Sequence, residues 1–162
     1  MATSLLALHD LPCNRPAEII RSPCGSASQS FQSMLCMETD MSTHTDVIDR
    51  YFAIWNETDP ARRRSLIAKT WTESANYLDP LMQGDGQAGI DTMVAGVQQR
   101  FPGHQFRRTG DIDSHHDRLR FSWELRAHGG AVVVDGTDFA VIAADGRLQT
   151  VTGFLDHAPT IG

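Results

Sequence analysis

No cysteine follows Cys36 in this 162-residue chain; Cys13, Cys24 and Cys36 are all crowded into its first forty residues. A disulfide scaffold is excluded for everything downstream, and a reducing, cytoplasmic setting is the expectation. Positive charge is also scarce: 14 Lys and Arg against 20 Asp and Glu leave a formal net charge of −6. That balance excludes a broad basic face, so no nucleic acid partner is expected. The single basic run, Arg62-Arg63-Arg64, falls in a predicted helix and reads as a solvated face. No apolar run approaches the roughly 20 residues that a membrane-spanning helix needs, so no membrane partner is expected either. Gly84-Asp-Gly86 lacks the Lys and Ser/Thr of a phosphate loop, and no nucleophile elbow occurs. His115 and His116 are adjacent in a polar turn, where they are expected to point apart with no further ligand at useful spacing. No metal and no cofactor is therefore expected.

With 41% hydrophobic residues, the chain can build one domain with a real core, but not two ordinary domains. Residues 1–43 carry Ser, Pro, Gly and Cys with no sustained period, and they read as a disordered leader. Alternatively, translation starts at Met34, Met37 or Met41. The domain is placed at 44–157, with 158–162 as a tail.

Val47, Ile48, Tyr51, Ile54 and Trp55 follow the spacing of an amphipathic helix, with Thr45 as its cap. Asp59-Pro60 is a cap followed by a first-turn proline, starting a second helix that runs to about Trp71. Residues 74–79 read as a short strand stopped by Pro80, and 83–86 as a loop. Ile90, Met93, Val94, Val97 and Phe101 predict a third helix. Four strands then follow: 104–112, 118–127, 131–143 and 148–156. A turn at 113–117, Gly129-Gly130 and the hairpin dipeptide Asp145-Gly146 separate them. Leu119, Phe121, Trp123 and Leu125 alternate with polar residues, as in a half-buried antiparallel strand. The order α-α-β-α-β-β-β-β predicts an α+β fold with helices on one face of a curved sheet.

Three residues stand out chemically. Asp138 shares a strand face with Val132, Val134, Gly136, Ala140 and Ile142, where an ionised acid is costly unless paired or functional. Tyr51 lies central in the apolar stripe of the first helix, so its hydroxyl needs an interior partner. Asp79 ends a strand on the face of Ala75 and Tyr77. A tyrosine and a protonated Asp can hold an oxyanion, while an ionised Asp can move a proton next to a carbonyl. Each also has a plain reading. Tyr51 can bond a backbone carbonyl, Asp79 can form an Asp-Pro turn, and Asp138 can pair with Arg107 or Arg120. Asp156 is either a second acid at the rim or a solvated strand end.

The segments Ile48-Asp-Arg-Tyr-Phe-Ala-Ile-Trp55, Tyr77-Leu-Asp-Pro80, Gly136-Thr-Asp-Phe139 and Asp145-Gly-Arg-Leu-Gln-Thr150 resemble the nuclear transport factor 2-like (NTF2-like) superfamily and its SnoaL-like group. The resemblance covers about 44–157. It implies a cone in which three N-terminal helices pack in a strongly curved, mixed, mostly antiparallel sheet, with a pocket at the wide end and a homodimer through the outer sheet face. One branch is similar to ketosteroid isomerase. Tyr51 falls on its oxyanion tyrosine, Asp79 on its base before a proline, and Asp138 on its protonated acid. The spacing from Tyr51 to Asp79 is several residues longer here. Trp55, Phe106, Trp123 and Phe154 are the expected substrate-binding residues. The ligand implied is a small apolar or cyclic carbonyl compound. The expected function is cofactor-free isomerisation or aldol-type cyclisation, with Asp79 as base and Tyr51 and Asp138 as oxyanion donors. The alternative is a non-catalytic ligand-binding or dimerisation module of the same fold.

Overall fold

The computed structural model describes residues 43–158, so the expected leader apart from Thr43, which falls in the first helix, and most of the expected tail lie outside the described residues. Helix α1 covers residues 43–56 and buries Val47, Ile48, Tyr51, Ile54 and Trp55, the stripe that its periodicity predicts. The helix is already under way at residue 43, so Thr45 lies inside it and does not cap it. Helix α2 spans Pro60–Thr70; the Asp59 side chain caps it by accepting from the Arg62 N–H at 2.8 Å.

The solvated reading of Arg62-Arg63-Arg64 fails at its centre. Arg63 is buried because it lies four residues before Ile67 and seven before Thr70, on the inward face of α2. Its Nε donates to Asp91 at 2.6 Å and its Nη1 to Gln98 Oε1 at 3.0 Å. These bonds fasten α2 to helix α3, Gly86–Arg100.

Strand β1, Trp71–Leu78, leaves α2 with no intervening loop, three residues earlier than the apolar pattern from Ser74 predicts. The first residues of β1 are separated from the rest by a register shift between Trp71 and Asn76. Gln83–Asp85, expected as a loop, is a short strand β2 that pairs antiparallel with β1. The remaining strands are β3 (His104–His115), β4 (Arg118–Ala127), β5 (Val132–Ile142) and β6 (Leu148–His157). β3 runs past the predicted Ile112, and the turn tightens onto His116, whose φ is +54°. The two histidines do not point apart: their Nδ1 atoms are 3.4 Å from each other.

The sheet order is β2-β1-β6-β5-β4-β3; β1 and β6 pair in parallel, and every other pair is antiparallel. This is the α+β cone: three helices packed against a curved, open, mixed sheet of six strands. Register shifts interrupt the pairings of β1 with β6, β3 with β4, β4 with β5 and β5 with β6. Shifts of this kind bend strands and give the sheet its curl. The concave face meets the helices through Phe121, Leu119, Ala140 and Val151 on the sheet side and Ile48, Ile54, Ile67 and Val94 on the helix side, all fully buried. Among the described residues no helix is long and apolar enough to cross a membrane.

Candidate active site

A cavity of about 820 Å³ opens between α1, α3 and the concave sheet. Tyr51, Trp55, Tyr77, Asp79, Phe106 and Trp123 are among its lining residues. Their rings form a chain: Tyr77 to Trp55 at 5.7 Å, Trp55 to Phe106 at 4.8 Å, and Phe106 to Trp123 at 5.4 Å between centroids. Trp55, Phe106 and Trp123 thus sit on the wall, where the sequence reading puts substrate contacts. Phe154 does not. It is 58% exposed on the outer sheet face, opposite Thr137, and Leu155 lines the cavity in its place. The cause is an extra residue near the start of β6. Ile142 pairs with Leu148, but Val141 pairs with Thr150, so Gln149 is surplus and the in-out parity reverses beyond it.

Asp79 follows β1 and lines the cavity, 9% exposed. Its Oδ1 accepts from the N–H groups of Leu81 and Met82 at 2.7 and 2.8 Å, closing the Asp-Pro turn. Its Oδ2 accepts from the Tyr77 hydroxyl at 3.0 Å. Three donors and no acceptor surround it, a set suited to a carboxylate.

Asp138 is deeper, 1% exposed, and stands behind the cavity wall rather than on it. Neither Arg107 nor Arg120 reaches it. Arg120 pairs with Asp113 at 2.8 Å, and the Asp138 donors are instead the Tyr51 hydroxyl to Oδ2 at 2.6 Å and Trp123 Nε1 to Oδ1 at 2.8 Å. Burial raises its pKa to about 6. The bonds from Tyr51 and Trp123 work against that rise, and the nearby Asp79 adds to it. Burial likewise pushes the Tyr51 hydroxyl well above its usual range, with the charge of Asp138 as the next cause. The same holds for Tyr77, with burial first and the charges of Asp138 and Asp79 after it.

Two glycines make this cluster possible. Gly153 faces Asp138 across the β5–β6 ladder. A Cβ there would lie 3.1 Å from Asp138 Oδ1, from Asp79 Cβ and from the Tyr77 hydroxyl, so these three groups converge on one point. Gly136 faces Trp123 across the β4–β5 ladder, and its bare Cα lets the indole lie close enough to aim Nε1 at Asp138. The structure therefore brings Tyr51, Asp79 and Asp138 together, with Tyr77 and Trp123 as members that sequence reasoning did not assign to the polar network. Tyr77 carried a readable signal, since it precedes Asp79 by two residues on the same strand face.

The sequence matches the SnoaL-like domain over residues 48–151. No curated protein matches it. Among solved structures, it is 44% identical to a proposed isomerase of the SnoaL-like family from Agrobacterium tumefaciens strain C58. That alignment covers 72% of this chain and all of the other, with a TM-score of 0.69. An NTF2-like protein of unknown function from Exiguobacterium sp. 255-15 is 22% identical over 69% of this chain and 99% of its own, with a TM-score of 0.56. A proposed SnoaL-like polyketide cyclase from Jannaschia sp. CCS1 is 16% identical over 72% of this chain and 87% of its own, with a TM-score of 0.60. At these lower identities the likeness concerns the fold alone.

Proposed function

The chain belongs to the SnoaL-like domain family, and on that premise we propose that it moves a proton on the carbon next to a carbonyl, without a cofactor, inside its cavity. The ligand is a small apolar or cyclic carbonyl compound, and the outcome is isomerisation or aldol-type cyclisation. The observation that carries this reading is Asp79. Its Oδ1 accepts from two turn N–H groups, its Oδ2 accepts from Tyr77 alone, and the residue lines an aromatic cavity, so Oδ2 is the oxygen left to meet a ligand.

Asp79 Oδ2 is the general base. It takes the proton from the α-carbon; the C–H electron pair becomes the new C–C π bond and the carbonyl π pair moves onto oxygen. The enolate oxygen is held by Tyr51. That role needs the Tyr51 proton to face the cavity, whereas it now points at Asp138. Protonated Asp138 reverses the bond: its Oδ2–H donates to Tyr51 Oη, and the tyrosine proton turns to the enolate. Asp138 thus acts through Tyr51. In an isomerisation, the proton on Asp79 returns to the far carbon of the conjugated system. In a cyclisation, the enolate carbon attacks a second carbonyl carbon and the resulting alkoxide takes the proton. The proposed isomerase activity of the Agrobacterium relative supports the first outcome.

The test is deuterium uptake at the α-carbon of cyclic ketones, steroid enones and polyketide-like aromatics in D₂O, followed by NMR. Wild type accelerates exchange and Asp79→Asn loses it while still binding the ligand. Equal exchange by both proteins on a ligand that binds both overturns the mechanism. A second reading, a ligand-binding module without catalysis, is favoured by one observation: the Tyr51 hydroxyl is engaged by Asp138 and not by the cavity. Under that reading a ligand binds, but exchange is absent throughout pH 5–8. Phe139 and Phe154, 39% and 58% exposed on the outer sheet face, support a homodimer through that face, checked by light scattering.

A further inference from the structure

We propose that the substrate carries a carboxylate, which Arg100 receives at the mouth of the cavity. This deepens the proposed function and rests on its ligand cavity, though not on its proton transfer. Three charged residues line that cavity: Asp79, Asp85 and Arg100. Asp85 is committed to its neighbours, accepting from Asn76 and Gln83 at 2.7 Å each, and these bonds hold its carboxyl below the usual range. Arg100 is not committed in this way. Arg63, Arg64, Arg118, Arg120, Arg126 and Arg147 each have an acid within ion-pair distance. Among the described residues Arg50, Arg62, Arg100, Arg107 and Arg108 show none, and of these five only Arg100 lines the cavity. Its guanidinium sits 5.9 Å from the centroid of Phe101, a second lining residue, and this cation–π contact keeps the charge beside the cavity wall.

The position of Arg100 at the end of α3 complements the helix dipole, which accounts for a cation in the last turn but not for its place on the cavity wall. A single planar guanidinium matches a carboxylate through two parallel hydrogen bonds and balances one negative charge. The charges also set the direction of entry. Asp79 is 9% exposed and has the buried Asp138 nearby, whereas Arg100 is exposed, so a carboxylate that entered toward Asp79 would meet negative charge and one that stayed at the solvent side meets Arg100. The carboxylate therefore stays outermost and the carbonyl end goes in toward Asp79.

The experiment measures binding alone, by calorimetry on the full chain at pH 7.5 and low salt, with 2-naphthylacetic acid and its methyl ester as probes. An exposed ion pair is modest, so wild type is expected to bind the acid about fivefold more tightly than the ester. Arg100→Gln should equalise the two by weakening the acid only. Arg107→Gln, which makes the same charge change outside the cavity lining, should keep the preference. About 0.5 M salt should shrink the preference in wild type. If wild type binds the ester as tightly as the acid, or if Arg100→Gln keeps the preference, the inference is overturned. If neither probe binds wild type, the ligand-cavity reading falls along with it. Failure of deuterium exchange, by contrast, overturns only the proton-transfer mechanism.

Discussion

Replacing Asp138 with asparagine separates the charge of the buried carboxyl from its shape. In the wild type, the folded protein holds this acid at about 6 against an ordinary 3.8, chiefly because the site is buried. Below pH 3.8 the group is neutral in both folded and unfolded chains and costs nothing. As the pH rises from about 4 to about 6, the unfolded chain releases the proton first, and the folded state loses stability. Above about 6 both are ionised and the loss is complete, amounting to about 3 kcal/mol. Asparagine carries no proton to lose, so it is spared this cost. Its Oδ1 can accept from Trp123 Nε1 while its Nδ2 donates to Tyr51 Oη, the arrangement that neutral Asp138 would adopt. Urea denaturation of both proteins at pH 4 and pH 8 reads the effect. The stability of Asp138→Asn relative to wild type should rise by about 2 kcal/mol between those pH values, since part of the loss has already occurred at pH 4. Any constant packing difference cancels in this comparison. The same substitution should fix the Tyr51 proton toward the cavity, so proton exchange should fall above pH 6 in wild type and stay level in the variant. A stability difference that is identical at both pH values refutes the argument that burial of a charge sets the behaviour of this site.

The other perturbations follow from single contacts. Tyr77→Phe removes the 3.0 Å bond to Asp79 Oδ2 and should lower kcat about tenfold or more with KM little changed, as expected for a hydrogen bond to a charged group; an unchanged kcat would show that Tyr77 does not position the base. Gly136→Ala would place a Cβ 2.3 Å from the Phe154 carbonyl oxygen and 2.9 Å from the Trp123 ring. Because the nearer atom is backbone, the variant should lose about 2–3 kcal/mol and several degrees in thermal melting. Its tryptophan fluorescence should also report a displaced Trp123. Asp79→Asn should slow proton transfer by about a hundredfold or more, measured by α-carbon exchange.

What could be read in advance divides along physical lines. Local signals fixed α2 through Asp59-Pro60, β4 through strict alternation, and the β5–β6 hairpin through Asp145-Gly146, whose glycine adopts φ +79°. Each depends on neighbours a few residues away. Strand β2 was not legible, because Gln83–Asp85 has little strand preference of its own and is extended only through pairing with β1. A run of three arginines suggests a solvated face, yet helical spacing puts Arg63 in line with Ile67 and Thr70, so its burial is a matter of helix phase rather than of composition. At the site, an acid on an apolar strand face announced that Asp138 needs donors. It did not say which. Trp123 reaches Asp138 only because β4 and β5 pair in a register that sets the indole on Gly136, and register between strands is a tertiary property.

In the proposed mechanism the two acids differ in role because their oxygens are used differently. Both oxygens of Asp138 are occupied, one by Trp123 and one by Tyr51, and the residue is sealed behind the wall. In the proposed mechanism a group so placed acts through Tyr51 and does not touch the ligand. At Asp79 the turn engages Oδ1 with two N–H groups, whereas Oδ2 accepts from Tyr77 alone, and the residue lines the cavity. The turn reading and the catalytic reading of Asp79 are therefore not rivals. The Pro80 turn, by holding Oδ1 with two backbone N–H groups, fixes the direction in which Oδ2 points, and a base needs that direction fixed before it meets a carbon acid.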